Sequence, residues 1–259
     1  MKKNILIIGF GDLAQRLEKQ LLDKDVIIYG LTRSPKKYKG SKLKEWDWLN
    51  QEPFKAPEKK FDSVIFFPKP ADFSESGYKL GFIEPLKIIN KSLKDIEFKS
   101  FIGISSTRVY GTHQEGKLSE LNAPEPSDYR GSIILEYEKL IQSLFQSNSL
   151  ILRLSGLYDD NTNWLKDFIK NFNGVKRDLP NKYLNRLHRD ECARILAFVL
   201  KEELYLNNHL FNCSSSSITY EEYFKFVTGS EDFKKYFNNT NDSIRKISSE
   251  RLRELGFEF

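Results

Sequence analysis

Three small residues near the beginning of the chain have the types and the spacing of a phosphate-binding turn. Gly9 and Gly11 follow an apolar run of strand length, Ile5–Ile8, and Ala14 lies in the amphipathic helix that comes next. The first glycine permits a sharp turn, the second leaves the backbone open to a diphosphate, and the alanine allows close helix packing. Unpaired amides at a helix start attract anions. The pattern therefore predicts a dinucleotide site, with a purely structural turn as the alternative.

Further candidate cofactor contacts lie in this turn and after the next strand. Asp12 and Leu13 belong to the turn, and the apolar run Val26–Leu31 leads into Thr32-Arg33-Ser34-Pro35. Sites that prefer NAD carry an acid at this point, about twenty residues after the glycines. Arg33 offers a guanidinium suited to a 2′-phosphate, so the sequence favours NADP and leaves NAD possible. A solvated basic loop is the alternative.

The ends of the next two predicted strands supply more candidates. Leu43–Trp48 is predicted as a third strand, with Asp47 and Trp48 where an adenine would lie. Ser63–Phe67 is predicted as a fourth strand, and Phe67 at its end is a candidate cofactor contact. These assignments follow from the rule that ligands of an open parallel sheet bind at the carboxyl ends of its strands.

Two adjacent serines follow a fifth predicted strand. Ser105 and Ser106 come directly after Ser100–Ile104, which places their hydroxyls at the carboxyl end of a central strand. Ser105 is a candidate cofactor contact by this position. Serines at a strand end also form turns, and that alternative stays open.

The order of elements predicts the fold class. Strands and helices alternate, which is typical of an α/β protein with a doubly wound parallel sheet. Helices are predicted over Tyr78–Leu93, where Pro85 should kink or restart the helix, and over Ser127–Gln146, with Ser127 as its cap. We expect residues 1–158 to form a Rossmann-type core completed by residues 182–213. Residues 159–181 and 214–259 should form a smaller C-terminal lobe on the substrate side.

The C-terminal third predicts several further elements. They are a helix over Trp164–Asn173, a strand over Tyr183–His188, a helix over Glu191–Lys201 capped by Asp190, a strand over His209–Cys213, and a capping box from Thr219 to Glu222. We expect the polar tail from Lys235 to Phe259, with a short helix near its end, to pack on the smaller lobe.

Composition limits the classes of function. With 259 residues, 39% hydrophobic residues and no membrane-spanning run, the chain is expected to be soluble and cytoplasmic. A net charge of +5 from scattered lysines favours anionic small molecules over nucleic acid. Cys192 and Cys213 have no metal-ligand spacing, so we expect buried thiols and no metal.

Five segments together resemble a known family. GFGDLA, GLTRSP, FIGISSTRVYG, LRLSGLY and LNRLHRDECA occur in the order found in the extended and atypical short-chain dehydrogenase/reductases, which include nucleotide-sugar epimerases and dehydratases. The resemblance spans residue 5 to about residue 213. It implies NAD(P) binding and gives Ser106 the position of the catalytic hydroxyl that hydrogen-bonds a substrate oxygen.

The helix after the serines departs from this family. Tyr129 has the position of the catalytic tyrosine, but Ile133 stands four residues later, where the family has a lysine. A lysine there would lower the phenol pKa, whereas isoleucine supplies no charge. Arg130 is a poor substitute because neighbouring helical side chains point about 100° apart. The match from Tyr38 to Lys42 is expected to lie far from the Ser106 rim and to be chance.

The resemblance leaves two functions open. The first is an NADP-dependent oxidoreductase or epimerase acting on a small polar or nucleotide-sugar-like substrate, with Ser106 and Tyr129 as catalytic residues. The second is a catalytically degenerate dinucleotide-binding or redox-sensing module. Family members often dimerise through a helical face that includes the Tyr129 helix, so the resemblance also allows a homodimer.

Overall fold

The computed structural model describes residues 2–22, 25–38, 42–50, 52–160, 164–179, 181–238 and 243–259. These residues form twelve strands, in chain order β1 Lys3–Ile8, β2 Val26–Thr32, β3 Lys42–Glu45, β4 Lys60–Phe66, β5 Glu97–Ser106, β6 Gly116–Leu118, β7 Ser149–Leu154, β8 Gly156–Tyr158, β9 Tyr183–His188, β10 Leu210–Cys213, β11 Ser216–Thr219 and β12 Arg245–Ile247. The same residues form eight helices, α1 Asp12–Leu21, α2 Glu75–Ser92, α3 Tyr129–Phe145, α4 Trp164–Lys170, α5 Arg189–Lys201, α6 Tyr220–Thr228, α7 Phe233–Tyr236 and α8 Glu250–Glu254.

Seven strands form one parallel sheet in the order β10-β7-β5-β4-β1-β2-β3. Ile8 at the end of β1 is in register with Leu31 of β2 and Phe66 of β4. The chain winds outward from β1 in both directions, so a crevice opens at the carboxyl ends of β1 and β4. The predicted α/β fold with a doubly wound parallel sheet is confirmed.

The sheet separates two apolar cores because its strands are buried on both faces. Ile5 and Ile7 of β1 pack into the cluster formed with α1 and α5, while Leu6 and Ile8 pack into the cluster formed with α2 and α3. This alternation explains why the strand sequences are continuously apolar. The two layers of helices leave the carboxyl edge of the sheet open for a site.

Several predicted boundaries differ from the structure for local reasons. The third strand ends at Glu45 and not at Trp48, because the Asp47 carboxylate accepts a hydrogen bond from the Leu49 amide, at 3.0 Å, in a short 3-10 turn. α2 begins earlier than predicted, since the Ser74 hydroxyl accepts from the Gly77 amide at 3.0 Å. It also continues past Pro85, so the predicted restart was wrong.

The two predicted helix caps were each displaced by one or two residues. Asp128, not Ser127, caps α3, and its carboxylate accepts a hydrogen bond from the Gly131 amide at 2.8 Å. His188, not Asp190, caps α5, because its Nδ1 accepts from the Asp190 amide at 3.2 Å. The predicted capping box of Thr219 at the start of α6 is confirmed.

A smaller group of elements lies beside the main sheet. β11, β9 and β8 form a three-stranded sheet, and residues of α4, α6 and α7 share a separate apolar cluster that includes Leu165, Phe224 and Phe237. The tail was predicted to pack here, but Leu252 of α8 and Phe257 lie in the main core, so the prediction was wrong for the last helix. Residues 239–242 of the predicted tail lie outside the described residues.

The structure also bears on the two cysteines and on the length of the helices. Cys192 and Cys213 are free thiols in the core, and burial raises the pKa of Cys192 to about 12. Within the described ranges, every helix is too short or too polar to cross a membrane.

Candidate functional site

A cleft of about 840 Å³ lies along the carboxyl edge of the main sheet. Nine of the residues predicted from the sequence line it together: Gly9, Gly11, Asp12, Leu13, Arg33, Trp48, Phe67, Ser105 and Ser106. They come from the carboxyl ends of five different strands and from the start of α1. The parallel topology therefore gathers segments that are distant in the sequence into one concave surface.

The glycine turn closes one wall of the cleft. Gly9 has a φ of +84°, and a Cβ there would lie 2.5 Å from the Phe67 carbonyl oxygen, so this position requires glycine for steric reasons. A Cβ on Gly11 would meet protein atoms only at 3.8 Å or more. The fold itself therefore has room for a Cβ at Gly11, and the absence of one keeps space open in front of the α1 amides.

The Arg33 end of the cleft is basic and aromatic. The Arg33 guanidinium lies 4.9 Å from the centre of the Trp48 ring, and Ser34 and Lys37 line the same end. The Trp48 Nε1 is buried without a hydrogen-bond partner among the described residues. Asp47 does not line this cleft; it borders a neighbouring hollow.

Tyr38 is a further residue of the cleft wall, and the same cleft extends to Ser106. The phenol oxygen lies 3.9 Å from the Cβ position of Gly11. Lys42 nevertheless bonds to the Tyr29 hydroxyl at 3.3 Å, so the sequence match from Tyr38 to Lys42 forms no hydrogen-bonded pair.

The two serines at the other end have different hydrogen-bond partners. The Ser106 hydroxyl accepts from the Arg108 amide at 3.2 Å, and the Ser105 hydroxyl donates to the Glu138 carboxylate at 2.5 Å. Arg153 pairs with Glu138, and although burial alone would lower the pKa of Arg153, this pairing raises it overall. Glu138 and Arg153 are residues that the sequence reasoning missed.

Tyr129 lies outside the cleft. Its hydroxyl donates to the Phe73 carbonyl oxygen on the loop before α2, and its side chain faces Tyr78. Arg130 folds back to donate to the Tyr129 hydroxyl at 3.2 Å, which the expected 100° separation did not anticipate. Ile133 is 3% exposed in the core between α3 and the sheet.

A second hollow of about 450 Å³ adjoins the cleft. The two share Ser106, Gly156 and Leu157 as lining residues. Asp128 also borders the second hollow, but its carboxylate is paired with Arg108 at 2.6 Å, and that hydrogen bond lowers the pKa of Asp128. The second hollow therefore meets the cleft at a wall that includes Ser106.

Two arginines, the buried Arg186 and the half-buried Arg245, give the second hollow its charge. Arg186 is 8% exposed and lies between two tyrosine rings, 3.9 Å from the centre of Tyr158 and 4.6 Å from that of Tyr223. Its Nη1 is buried and has no hydrogen-bond partner among the described residues. Arg245 donates to the Thr107 carbonyl oxygen at 3.1 Å, and burial lowers its pKa. Two positive charges thus face this space with no paired carboxylate from the described chain.

A network of charges joins the glycine turn to the start of α5. Asp12 pairs with Arg16 at 3.1 Å and with Arg189 at 2.9 Å. Asp159 lies within 4 Å of both arginines, at ion-pair distance but too far for hydrogen bonds. Because Arg189 also lines the cleft, this network places a guanidinium beside the phosphate-binding turn.

Several lining residues were not singled out from the sequence. Lys69 and Ser155 follow the ends of β4 and β7, and the rule applied to the serines would have found both. Arg186, Arg189 and Arg245 come from elements outside the main sheet. No local pattern announces that such residues converge on the site, because tertiary packing alone brings them there.

Comparisons with known proteins support the same fold. No protein-family model matches the sequence, and no curated protein matches it. Among solved structures, a candidate NAD-dependent epimerase/dehydratase from Methylobacillus flagellatus is 21% identical with a TM-score of 0.76, covering 100% of this chain and 93% of that one. A UDP-N-acetylglucosamine 4-epimerase from Methanobrevibacter ruminantium, in complex with UDP-N-acetylmuramic acid, is 15% identical with a TM-score of 0.75, covering 100% and 93%.

A third structure was determined with both a coenzyme and a substrate. UDP-glucuronic acid 4-epimerase from Bacillus cereus, in complex with UDP-glucuronic acid and NAD, is 16% identical with a TM-score of 0.71, covering 97% of this chain and 92% of that one. At these identities the likeness establishes the fold: the chain has the Rossmann-type architecture of NAD-dependent epimerase and dehydratase structures.

Proposed function

We propose that this protein is an NADP-dependent oxidoreductase or epimerase of the short-chain dehydrogenase/reductase type, acting on an anionic, nucleotide-sugar-like substrate. The observation that carries the proposal is the meeting of two spaces at Ser106. One has the glycine turn and Arg33, and the other has two arginines that lack carboxylate partners among the described residues. A coenzyme and a charged substrate would thus share one reactive hydroxyl.

The cleft residues fit a phosphorylated nicotinamide coenzyme. The open space above Gly11 and the amides of α1 suit the diphosphate, and the guanidinium of Arg189, which is paired with Asp12, lies beside them. Arg33 and Lys37 suit a 2′-phosphate, and the Trp48 ring suits the adenine. The nicotinamide would supply or accept a hydride. The structural neighbours with NAD support a nicotinamide dinucleotide in general, and Arg33 supports the phosphorylated form.

The second hollow fits an anionic substrate. A guanidinium as buried as that of Arg186 is costly without a counter-charge, and two arginines form a favourable pair for a phosphate or carboxylate. The tyrosine rings on either side of Arg186 hold the guanidinium plane in a fixed orientation. UDP-sugars bound to structural neighbours support a nucleotide-linked sugar as the substrate class.

Ser106 has the hydrogen-bonding state that this chemistry requires. Its oxygen accepts from the Arg108 amide, and its proton has no acceptor among the described residues, so the hydroxyl can donate to a substrate oxygen. Polarisation of that oxygen assists hydride transfer at the attached carbon. Proton transfer by Tyr129 would require its side chain to leave the Phe73 carbonyl and turn toward the cleft.

Coenzyme binding and turnover test the proposal. Calorimetry with NADPH and NADH should show tighter binding of NADPH. Incubation of NADPH or NADP with a panel of UDP- and dTDP-sugars should give turnover that Ser106→Ala abolishes. If neither NADPH nor NADH binds, the assignment of the cleft as a coenzyme site is refuted.

One observation favours a second function, a dinucleotide-binding module without catalysis. Tyr129 is bonded away from the cleft and Ile133 is buried, so the usual tyrosine and lysine pair is missing. Such a module would bind NADPH with the same preference but give no turnover with any substrate in the panel. It would also show no difference between the native protein and Ser106→Ala in that assay.

A further inference from the structure

A chain of buried polar groups lies behind the cleft wall at Ser105. The Ser105 hydroxyl contacts Glu138 Oε1 at 2.5 Å, and Arg153 binds the same carboxylate through Nε at 2.9 Å and Nη2 at 2.7 Å. Arg153 Nη1 then donates to the Tyr110 hydroxyl at 2.9 Å, which lies 3.0 Å from Asn212 Oδ1. Neither function described above makes use of this network.

Burial of this network has a large desolvation cost. Glu138 and Arg153 are 3% and 4% exposed, and ion pairs this buried are often no better for stability than apolar residues of similar volume. The geometry compensates, because both carboxylate oxygens receive a guanidinium donor. The carboxylate end of the pair points at a residue that lines the coenzyme cleft.

The Ser105 hydroxyl is the donor in its hydrogen bond to Glu138. A carboxylate held by a guanidinium has no proton to give, so the hydrogen in the bond between Ser105 and Glu138 comes from the serine. The serine oxygen then retains only lone pairs, and Ser105 is one of the residues that line the cleft. Ser106 differs, because it accepts from the Arg108 amide and its proton has no acceptor among the described residues. Of the two adjacent serines, only Ser106 can therefore donate to a ligand.

We propose that Glu138 holds Ser105 as a hydrogen-bond acceptor for a donor group on the nicotinamide half of the coenzyme, either a ribose hydroxyl or the carboxamide NH₂. This inference rests on the proposed function. Ser105 lies beside Ser106, where the substrate hollow begins, and at the opposite end of the cleft from Arg33, which suits the adenosine half. Glu138 acts through Ser105 and is a positioning residue.

The assignment explains how a nicotinamide ring is oriented when no tyrosine or lysine of α3 lines the cleft. Tyr129 and Ile133 do not line the cleft, whereas Ser105 does. Ser105 is placed on the longest strand of the sheet and is held from behind by a rigid ion pair. A group so fixed can orient a ligand without a loss of its own conformational freedom.

Binding of two probes to the native protein and to variants tests the inference. The probes are NADPH and 2′,5′-ADP, which contains the adenosine half alone. Ser105→Ala should weaken NADPH binding by about three- to tenfold, the effect of one neutral hydrogen bond, and leave 2′,5′-ADP unchanged. Equal weakening of both probes, or of neither, would overturn it. If the native protein binds neither probe, the proposed function itself fails.

A double-mutant cycle tests the part played by Glu138. In Glu138→Gln the amide can donate to Ser105, which would turn the serine proton toward the cleft. The affinity for NADPH should then fall by the same factor as in Ser105→Ala. The double variant with Ser105→Ala should be no weaker than Ser105→Ala alone. Ser106→Ala combined with Glu138→Gln serves as the control, and its effects should add. Additive effects at Ser105 would remove Glu138 from the assignment.

Two further arms complete the test. If Glu138→Gln does not fold, Ser105→Ala, which leaves the ion pair intact, still decides the contact to the coenzyme. The 3-acetylpyridine analogue of NADPH lacks the carboxamide NH₂ and separates the two donors. A smaller effect of Ser105→Ala with this analogue than with NADPH assigns the contact to the carboxamide, and an equal effect assigns it to the ribose.

Discussion

Replacement of Arg186 by methionine should stabilise the free protein and weaken the binding of anions in the second hollow. Arg186 is 8% exposed, has a buried Nη1 without a partner among the described residues, and has only tyrosine rings against its guanidinium plane. Methionine preserves a long, unbranched side chain and removes the charge. Stability and ligand binding should therefore change in opposite directions.

The size of the effect follows from two opposing contributions. Burial of an unpaired ion costs several kcal/mol, and each of the two ring contacts recovers about 1 to 2 kcal/mol. We therefore expect Arg186→Met to raise the free energy of unfolding by about 1 kcal/mol, or the Tm by about 2 to 4 °C for a chain of this length. Loss of a charged hydrogen-bond donor should weaken a diphosphate ligand by about ten- to a hundredfold.

Thermal unfolding and calorimetry with UDP-glucose and inorganic pyrophosphate measure both effects. Arg177→Met is the matched control, since Arg177 is exposed and lies 5.5 Å from the centre of the Trp164 ring. That variant should change neither quantity appreciably. A lower Tm for Arg186→Met together with unchanged anion binding would refute the reasoning, because Arg186 would then be a structural residue.

Three other predictions follow from named contacts. In calorimetry, Arg33→Ala should lower the affinity for NADPH by about ten- to a hundredfold and leave the affinity for NADH unchanged. Tyr137→Phe should raise the Tm slightly in a thermal melt, because the Tyr137 hydroxyl is buried without a partner among the described residues. Burial raises the pKa of Asp62, but hydrogen bonds from Lys99 and the Asn4 amide lower it overall. The ionised Asp62 carboxylate therefore stabilises the folded protein, and this contribution should be lost as the pH falls below about 4. Urea unfolding at a series of pH values measures the loss.

Each of these predictions has a control within the chain. Lys36 neighbours the basic end of the cleft without lining it, so Lys36→Ala should leave NADPH binding unchanged where Arg33→Ala weakens it. Tyr29→Phe removes a hydroxyl that bonds to Glu58 at 2.7 Å and should lower the Tm, in contrast to Tyr137→Phe. Asp62→Asn should unfold less steeply with acid than the native protein. An identical acid profile would exclude Asp62 as a contributor.

The sheet and the glycine turn were predictable because they depend on local patterns. The apolar run of β1 is buried on both faces, and Gly9 takes the positive φ that only glycine adopts easily. The caps were harder to place, since Ser127 and Asp128 are both good cap residues and the choice depends on where the first helical turn closes.

The chemistry of the second hollow could not be predicted from the sequence. Arg186 lies in a short strand whose alternation predicts burial without indicating the tyrosine rings around it. Arg245 comes from a segment paired with β6, which is more than a hundred residues earlier in the chain. The orientation of Tyr129 toward Phe73 is equally non-local, because it depends on how the loop before α2 meets the start of α3.

The hydrogen bond from Arg245 to the Thr107 carbonyl oxygen joins a late segment of the chain to a much earlier one. Ribosomes deliver the glycine turn and all the strands of the main sheet before they deliver residue 245. Every residue that lines the cleft is therefore synthesised before Arg245, one of the two arginines of the second hollow. The second hollow gains this arginine only when β12 pairs with β6.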